Sequence, residues 1–322
     1  MSERPIDDVL APSPRVVGVA DDSGRPRRRL FVRSAVVAGI VIGGVAVGFW
    51  LLGSRLIAPA PRTIGPPQSR LSCEDFALDA ATGVVRGWHA RRPDAKAVAV
   101  LLHGLRGDRR QMLSRAEWLH RIGFACVLPD LPAHGESDGG VITFGPAEAD
   151  AARAAIAFAR EQHPGLPVAV IGYSLGGAAA VLACAEPDAP TIDALVIEAV
   201  FPTLEDAIDN RMRSQFGGLA SVVGTPLKWQ LRPRLGFGVG DVRPAAVIDR
   251  VGCPVLVISG EDDPYTTAAN SRTLFEAAAE PKSLWLVPGL GHADPESFDR
   301  RGYRKRVGRF LERLTDPRPA VR

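Results

Sequence analysis

The sequence predicts an α/β domain built on a mostly parallel central sheet flanked by helices, with one transmembrane helix ahead of it. Three observations lead there. Runs of Val, Ile, Leu and Ala without polar alternation recur along the chain, separated by longer amphipathic segments; strands buried on both faces and joined by crossover helices read this way. A stretch near the N-terminus, Ser34 to Ser54, carries no charged residue. Between Phe201 and Val251 the strand–helix alternation stops, which marks an insert.

The elements follow in order. Residues 1–33 are rich in Pro, Asp, Ser and Arg without apolar periodicity, which predicts a disordered basic tail. Residues 34–54 are apolar on all faces and long enough to cross ~30 Å of hydrocarbon at ~1.5 Å per residue, so they predict the membrane span. Arg25, Arg27, Arg28, Arg29 and Arg33 precede it, while Arg55, Arg62 and Arg70 are spread thinly behind it. That asymmetry predicts a cytoplasmic N-terminus and a domain on the periplasmic or extracellular face of the cell membrane. Ala58-Pro59-Ala60 resembles a signal-peptide cleavage site, but the late basic region, the long apolar run and the surrounding prolines favour an uncleaved anchor. Gly39, Gly43, Gly44 and Gly48 contain small-xxx-small spacings, a pattern through which membrane helices pair, and raise a homodimer as an expectation. Residues 55–70 hold four prolines between Ala58 and Pro67 and predict a stiff linker that sets the next domain off the bilayer.

The main domain is expected over residues 71–316, with the insert at 202–250 and a tail at 317–322. Strands are predicted at Val84–Trp88, Ala97–Leu102, Ala125–Leu128, Val168–Ile171, Ala194–Ala199, Val255–Ser259 and Ser283–Val287. Gln111–Ile122, Ala147–Gln162 and Thr266–Ala279 are among the helices expected between them. No internal repeat is evident.

Composition narrows the function classes. With 46% hydrophobic and 23% charged residues, disorder, collagen and a many-span membrane protein fit poorly. The formal charge of +3 is concentrated in terminal arginines, so no nucleic-acid face is indicated. Cys73, Cys126, Cys184 and Cys253 lie far apart without CxxC spacing, which argues for buried thiols and against a metal centre.

Chemistry concentrates at strand ends. Val168–Ile171 runs into Gly172-Tyr173-Ser174-Leu175-Gly176 and then an Ala-rich helix, the strand–turn–helix setting of a nucleophile elbow. Bulky side chains two residues before or after such a serine would collide, and the helix start aims N–H groups at developing negative charge. Upstream, Val98–Leu102 ends in His103-Gly104-Leu105-Arg106-Gly107, where the backbone N–H of Leu105 can join that of Leu175 as an oxyanion hole. His103 is expected to brace that loop; His134, and the isolated His89, His120 and His163, are also expected to be structural. Downstream, Gly260-Glu261-Asp262-Asp263-Pro264 and Gly291-His292-Ala293-Asp294 each follow a strand. Ser174, His292 and an acid from the first of these turns have the residue types of a nucleophile, its base and the carboxylate that orients the base.

These four motifs, in the chain order Ser, Asp, His, resemble the α/β-hydrolase superfamily from about Leu71 to Leu314. With the membrane helix and the short insert, the chain is similar to membrane-anchored, small-lidded serine hydrolases, which include bacterial esterases and acyl-protein or lipid hydrolases. The resemblance implies an α/β-hydrolase fold and ester, thioester or amide hydrolysis through an acyl-enzyme, with no cofactor. It matches Ser174 to the nucleophile, His292 to the base and Asp263, three places after Gly260, to the acid; Asp262 and Glu198 stay open as alternatives. The insert takes the lid position, where Met212, Phe216, Leu219, Leu227, Trp229, Leu231 and Leu235 either line an acyl pocket or pack the lid onto the core. The anchor favours lipid esters, lysophospholipids or acyl-proteins as substrates. A peptidase, an acyltransferase or an inactive membrane-tethered binding module are the rivals. Removal of Met1 to Pro61 is expected to leave a soluble enzyme active on small esters, because no candidate site residue lies there.

Overall fold

The computed structural model describes residues 25–69 and 71–315. Residues 1–24 of the expected tail, Arg70 of the expected linker and the expected C-terminal tail 317–322 lie outside the described residues. The chain divides into two compact units, one ending at Gly48 and one beginning at Phe49.

The first helix, α1, runs Arg25–Ile57, and within it Arg33–Ile57 is long and apolar enough to cross a membrane. Two expectations are corrected. The helix starts inside the tail expected to be disordered through residue 33, because arginine is a good helix former and an established helix extends readily into such residues. It also runs on into residues 55–57 of the expected linker.

The rest of that linker is not a free spacer. Ala60–Pro61, strand β1, pairs in parallel with His134–Gly135, and the N–H groups of Ala60 and Arg62 donate to the carbonyls of Ala133 (2.7 Å) and Gly135 (2.8 Å). Ile64 is buried, with its N–H donating to Glu136 Oε1 at 2.9 Å. Prolines hold this strap extended, and an extended chain presents alternate N–H and C=O groups to one side, so it pairs where a neighbouring edge is free.

The α/β body follows: β2 Glu74–Ala80, β3 Gly83–Ala90, β4 Ala97–Leu102, α2 Leu113–Arg121, β5 Phe124–Pro129, β6 His134–Gly135, α3 Pro146–Gln162, β7 Val168–Tyr173, α4 Leu175–Cys184 and β8 Ala194–Glu198. The insert forms α5 Leu204–Phe216, α6 Ala220–Trp229 and α7 Leu231–Leu235, and β9 Val255–Gly260, α8 Ala268–Ala277, β10 Lys282–Val287, α9 Pro295–Phe298 and α10 Arg300–Thr315 complete the fold. The main sheet has the order β10-β9-β8-β7-β4-β5-β3-β2, with β2 and β3 antiparallel and the other neighbours parallel except β3 against β5. The sequence reading missed β2, whose Glu-Asp-Phe-Ala-Leu-Asp-Ala is an edge strand with exposed acidic residues rather than an apolar run.

Alternate side chains of the buried strands feed different cores. In β4, Val98, Val100 and Leu102 pack on one sheet face and Ala97, Ala99 and Leu101 on the other. Both faces are dry, which is why these strands read as unbroken apolar runs. In the insert, Met212, Leu227 and Leu231 pack inward while Phe216, Leu219 and Trp229 stay exposed.

Candidate active site

The parallel strands deliver their C-terminal ends to one edge of the sheet, and the motif residues collect there. Between β7 and α4 the chain reverses at Ser174, which sits at φ 50°, ψ −113°. A non-glycine residue in this region costs about 1–3 kcal/mol and is held only when its surroundings over-determine it. The Ser174 N–H donates to Glu198 O at 2.7 Å, and its carbonyl accepts from Gly177 and Ala178 at 3.0 Å each. The flanking glycines are required by contact: a Cβ on Gly172 would come 2.5 Å from Gly177 Cα, and one on Gly176 would come 2.5 Å from the carbonyl oxygens of Leu102 and His103.

The loop after β4 is braced by histidines, as expected for His103. Burial pushes the fully buried His103 down to about 3, so it is neutral; its Nδ1–H donates to Gly104 O at 2.8 Å and its Nε2 accepts from Leu131 N at 2.9 Å. Burial also lowers His134, whose Nδ1–H donates to Pro132 O (2.8 Å) while Nε2 accepts from Arg106 N (2.9 Å). Gly104 N donates to Gln111 Oε1 (2.8 Å) and Gly107 N to Gly104 O (3.0 Å). Among the described residues, the Leu105 N–H between these engaged amides has no such partner, and Leu105 itself is 41% exposed. Leu175 is the first residue of α4, where an N–H has no acceptor within the helix.

Burial and hydrogen bonding separate the candidate acids. Asp263 is 3% exposed, whereas Asp262 is exposed. Asp263 Oδ1 accepts from the N–H groups of Tyr265 (2.8 Å) and Thr266 (2.9 Å), and Oδ2 accepts from Thr266 Oγ1 (2.5 Å) and His292 Nδ1 (2.7 Å). Burial alone would raise this carboxyl, but the hydrogen bonds from His292 and Thr266 outweigh it and hold Asp263 below the ordinary carboxylate range. His292 is flanked by aromatic rings, Tyr265 at 5.1 Å and Tyr173 at 6.1 Å between centroids. Two of the three candidates are thus hydrogen-bonded, and Ser174 is the neighbour of one of the tyrosines beside His292; no hydrogen bond joins Ser174 to His292 among the described residues.

Glu198, the other candidate acid, is engaged elsewhere. Its carboxylate takes the Arg115 guanidinium at 2.5 and 3.2 Å and the Tyr303 hydroxyl. Arg115 also donates to Asp294 at 2.6 and 3.1 Å, two residues from His292. This buried arginine therefore ties the strand end that accepts the Ser174 N–H to the turn that carries His292. The sequence reading missed it. The available signal was an arginine on the face of α2 that also presents Ala116, Trp118 and Leu119 inward. Arg115→Ala is expected to destabilise the fold by about 3–5 kcal/mol, since it strands the buried Glu198 carboxylate and removes the partner of the half-buried Asp294. Denaturant unfolding measures this, and a change under 1 kcal/mol, taken as roughly the yield of a surface ion pair, would refute it.

Cys126 and Cys184 are buried and Cys73 and Cys253 half-buried, all as free thiols, with burial pushing Cys184 up to about 12.

A glycine-framed elbow serine, a braced loop with an unengaged amide and a buried carboxylate–histidine pair on one edge of this sheet define the α/β hydrolase class. A family model described as "Alpha/beta hydrolase family" matches residues 99–301, and the chain belongs to that family. It is 34% identical over 286 residues to the uncharacterized protein Rv2307c of Mycobacterium tuberculosis, covering 86% of this chain and 93% of the relative. With YqkD of Bacillus subtilis the identity is 26% over 248 residues, covering 75% and 80%. Among solved structures, an esterase of Pyrococcus furiosus superposes with a TM-score of 0.66 at 19% identity, over 81% of this chain and 99% of that one. At that identity the likeness concerns the fold.

Proposed function

We propose that this chain is a serine hydrolase that cleaves carboxylic esters through an acyl-enzyme, with Ser174 as nucleophile, His292 as base, Asp263 as the orienting acid and the amides of Leu105 and Leu175 as oxyanion donors. The observation that carries the reading is the 2.7 Å bond between His292 Nδ1 and the buried Asp263 carboxylate, beside an elbow serine. That bond fixes the tautomer: Nδ1 keeps its proton, and Nε2 is free to take the Ser174 proton as Oγ attacks the ester carbonyl. Negative charge gathers on the carbonyl oxygen, where the two amides stabilise it by roughly 3–4 kcal/mol per donor. Nε2 then passes its proton to the departing alcohol, and water repeats the sequence to release the acid. The test is covalent labelling by a fluorophosphonate together with turnover of a short p-nitrophenyl ester. Absence of both in folded protein would refute the reading.

The anchor makes esters of lipids or acyl-proteins the favoured substrates, because it concentrates the enzyme where they reside. The span Arg33–Ile57 is read as crossing the cell membrane with the N-terminus in the cytoplasm and the hydrolase domain outside. Protease added to intact cells or spheroplasts is expected to remove the domain, and carbonate washing to leave the full-length protein in the membrane. A protected domain would reverse the topology, and a soluble product beginning near Pro61 would mean a cleaved signal.

A further inference from the structure

The C-terminal end of α1 and the strap after it meet the loop that bears the Leu105 amide. Arg106, the next residue, is held by every part of its backbone. Its φ of 58° is left-handed, its N–H donates to His134 Nε2 at 2.9 Å, and its carbonyl accepts from Arg62 Nη2 at 3.1 Å. Its own guanidinium reaches across to the last turn of α1 and donates to the carbonyls of Arg55 (2.6 Å) and Leu56 (3.3 Å). Those carbonyls have no acceptor role within the helix because no turn follows, and they form the negative end of its dipole, so a guanidinium is well matched to them. The strap completes the frame from the other side: β1 pairs with the segment that presents His134, and Arg62 lies 3.6 Å from Asp108, two residues beyond Arg106.

We propose that Arg106 is a positioning residue that ties the oxyanion loop to the end of the membrane helix, so that the helix end and strap act as a strut setting the height of the Leu105 amide. This rests on the serine-hydrolase reading above. It also replaces the expectation that residues up to Pro61 are dispensable for turnover. The Arg106 side chain is exposed, so its removal leaves the core intact but releases a strained residue next to the donor. An amide displaced by a fraction of an ångström still lets substrate bind, yet serves the tetrahedral state poorly.

The experiment compares full-length wild type and Arg106→Ala in detergent micelles. The expected result is a kcat for a p-nitrophenyl ester lowered by about 10- to 100-fold with KM within about twofold, since an oxyanion donor acts chiefly on the transition state. A trifluoromethyl ketone, which forms a tetrahedral serine adduct, should bind the variant more weakly by the factor lost in kcat/KM, while fluorophosphonate labels both proteins to the same final stoichiometry. Unchanged kcat would overturn the strut, and so would activity lost only in proportion to labelled sites, with kcat per labelled site intact. Wild-type protein that takes no label would instead overturn the serine-hydrolase reading beneath it.

Discussion

Ser174→Ala is expected to eliminate fluorophosphonate labelling and to lower kcat on a p-nitrophenyl ester by about 10⁶-fold, the scale of losing a nucleophile whose partners act as one unit. The fold should survive. What holds the elbow is backbone: the Ser174 N–H to Glu198 O at 2.7 Å and the Ser174 carbonyl to Gly177 and Ala178 at 3.0 Å, all of which alanine retains. The left-handed φ of 50° strains serine and alanine alike. An unchanged circular dichroism spectrum with labelling gone is the expected pair of results. Persistent labelling of Ser174→Ala would sink the assignment.

Alanine at His292 is expected to lower kcat by about 10³-fold or more, and at Asp263 by somewhat less, with a combined loss far below the product of the two. Asp263→Ala mixes two effects, because the carboxylate also accepts the buried N–H groups of Tyr265 and Thr266. Asp263→Asn is the sharper probe: an amide of the same shape can hold the imidazole in the wrong tautomer without opening a cavity and is expected to cost about 10⁴-fold in kcat. Stability should also respond to acid. The folded-state pKa of Asp263 is depressed, so its contribution is complete above the ordinary aspartate range and is lost as pH falls through the folded value. Asp263→Asn should flatten that part of the acid unfolding curve. Asp262→Ala, on an exposed side chain, should leave kcat unchanged, and Glu198→Gln should act on stability through Arg115. A larger kcat loss from either than from Asp263→Asn would show the acid to be misassigned.

The sequence by itself determined the α/β class, the strands β4, β7, β8 and β9, the elbow and the turns that carry Asp263 and His292. Each is written locally: an apolar run reports a strand buried on both faces, and a glycine-framed turn at its end reports a backbone that only small residues allow. The polar edge strand β2 escaped because one solvated face and exposed acidic residues leave no apolar run to read. What each of the carboxylates Asp263, Asp262 and Glu198 faces, namely His292, solvent, or Arg115 with Tyr303, is visible only in the tertiary structure. The docked strap and the bond from Arg106 to the end of α1 were likewise invisible in the sequence. A proline-rich stretch has the same composition whether it floats or pairs, and the partners that decide between those states, His134 and Gly135 for β1 and Arg55 and Leu56 for Arg106, lie dozens of residues away and are brought close only by folding.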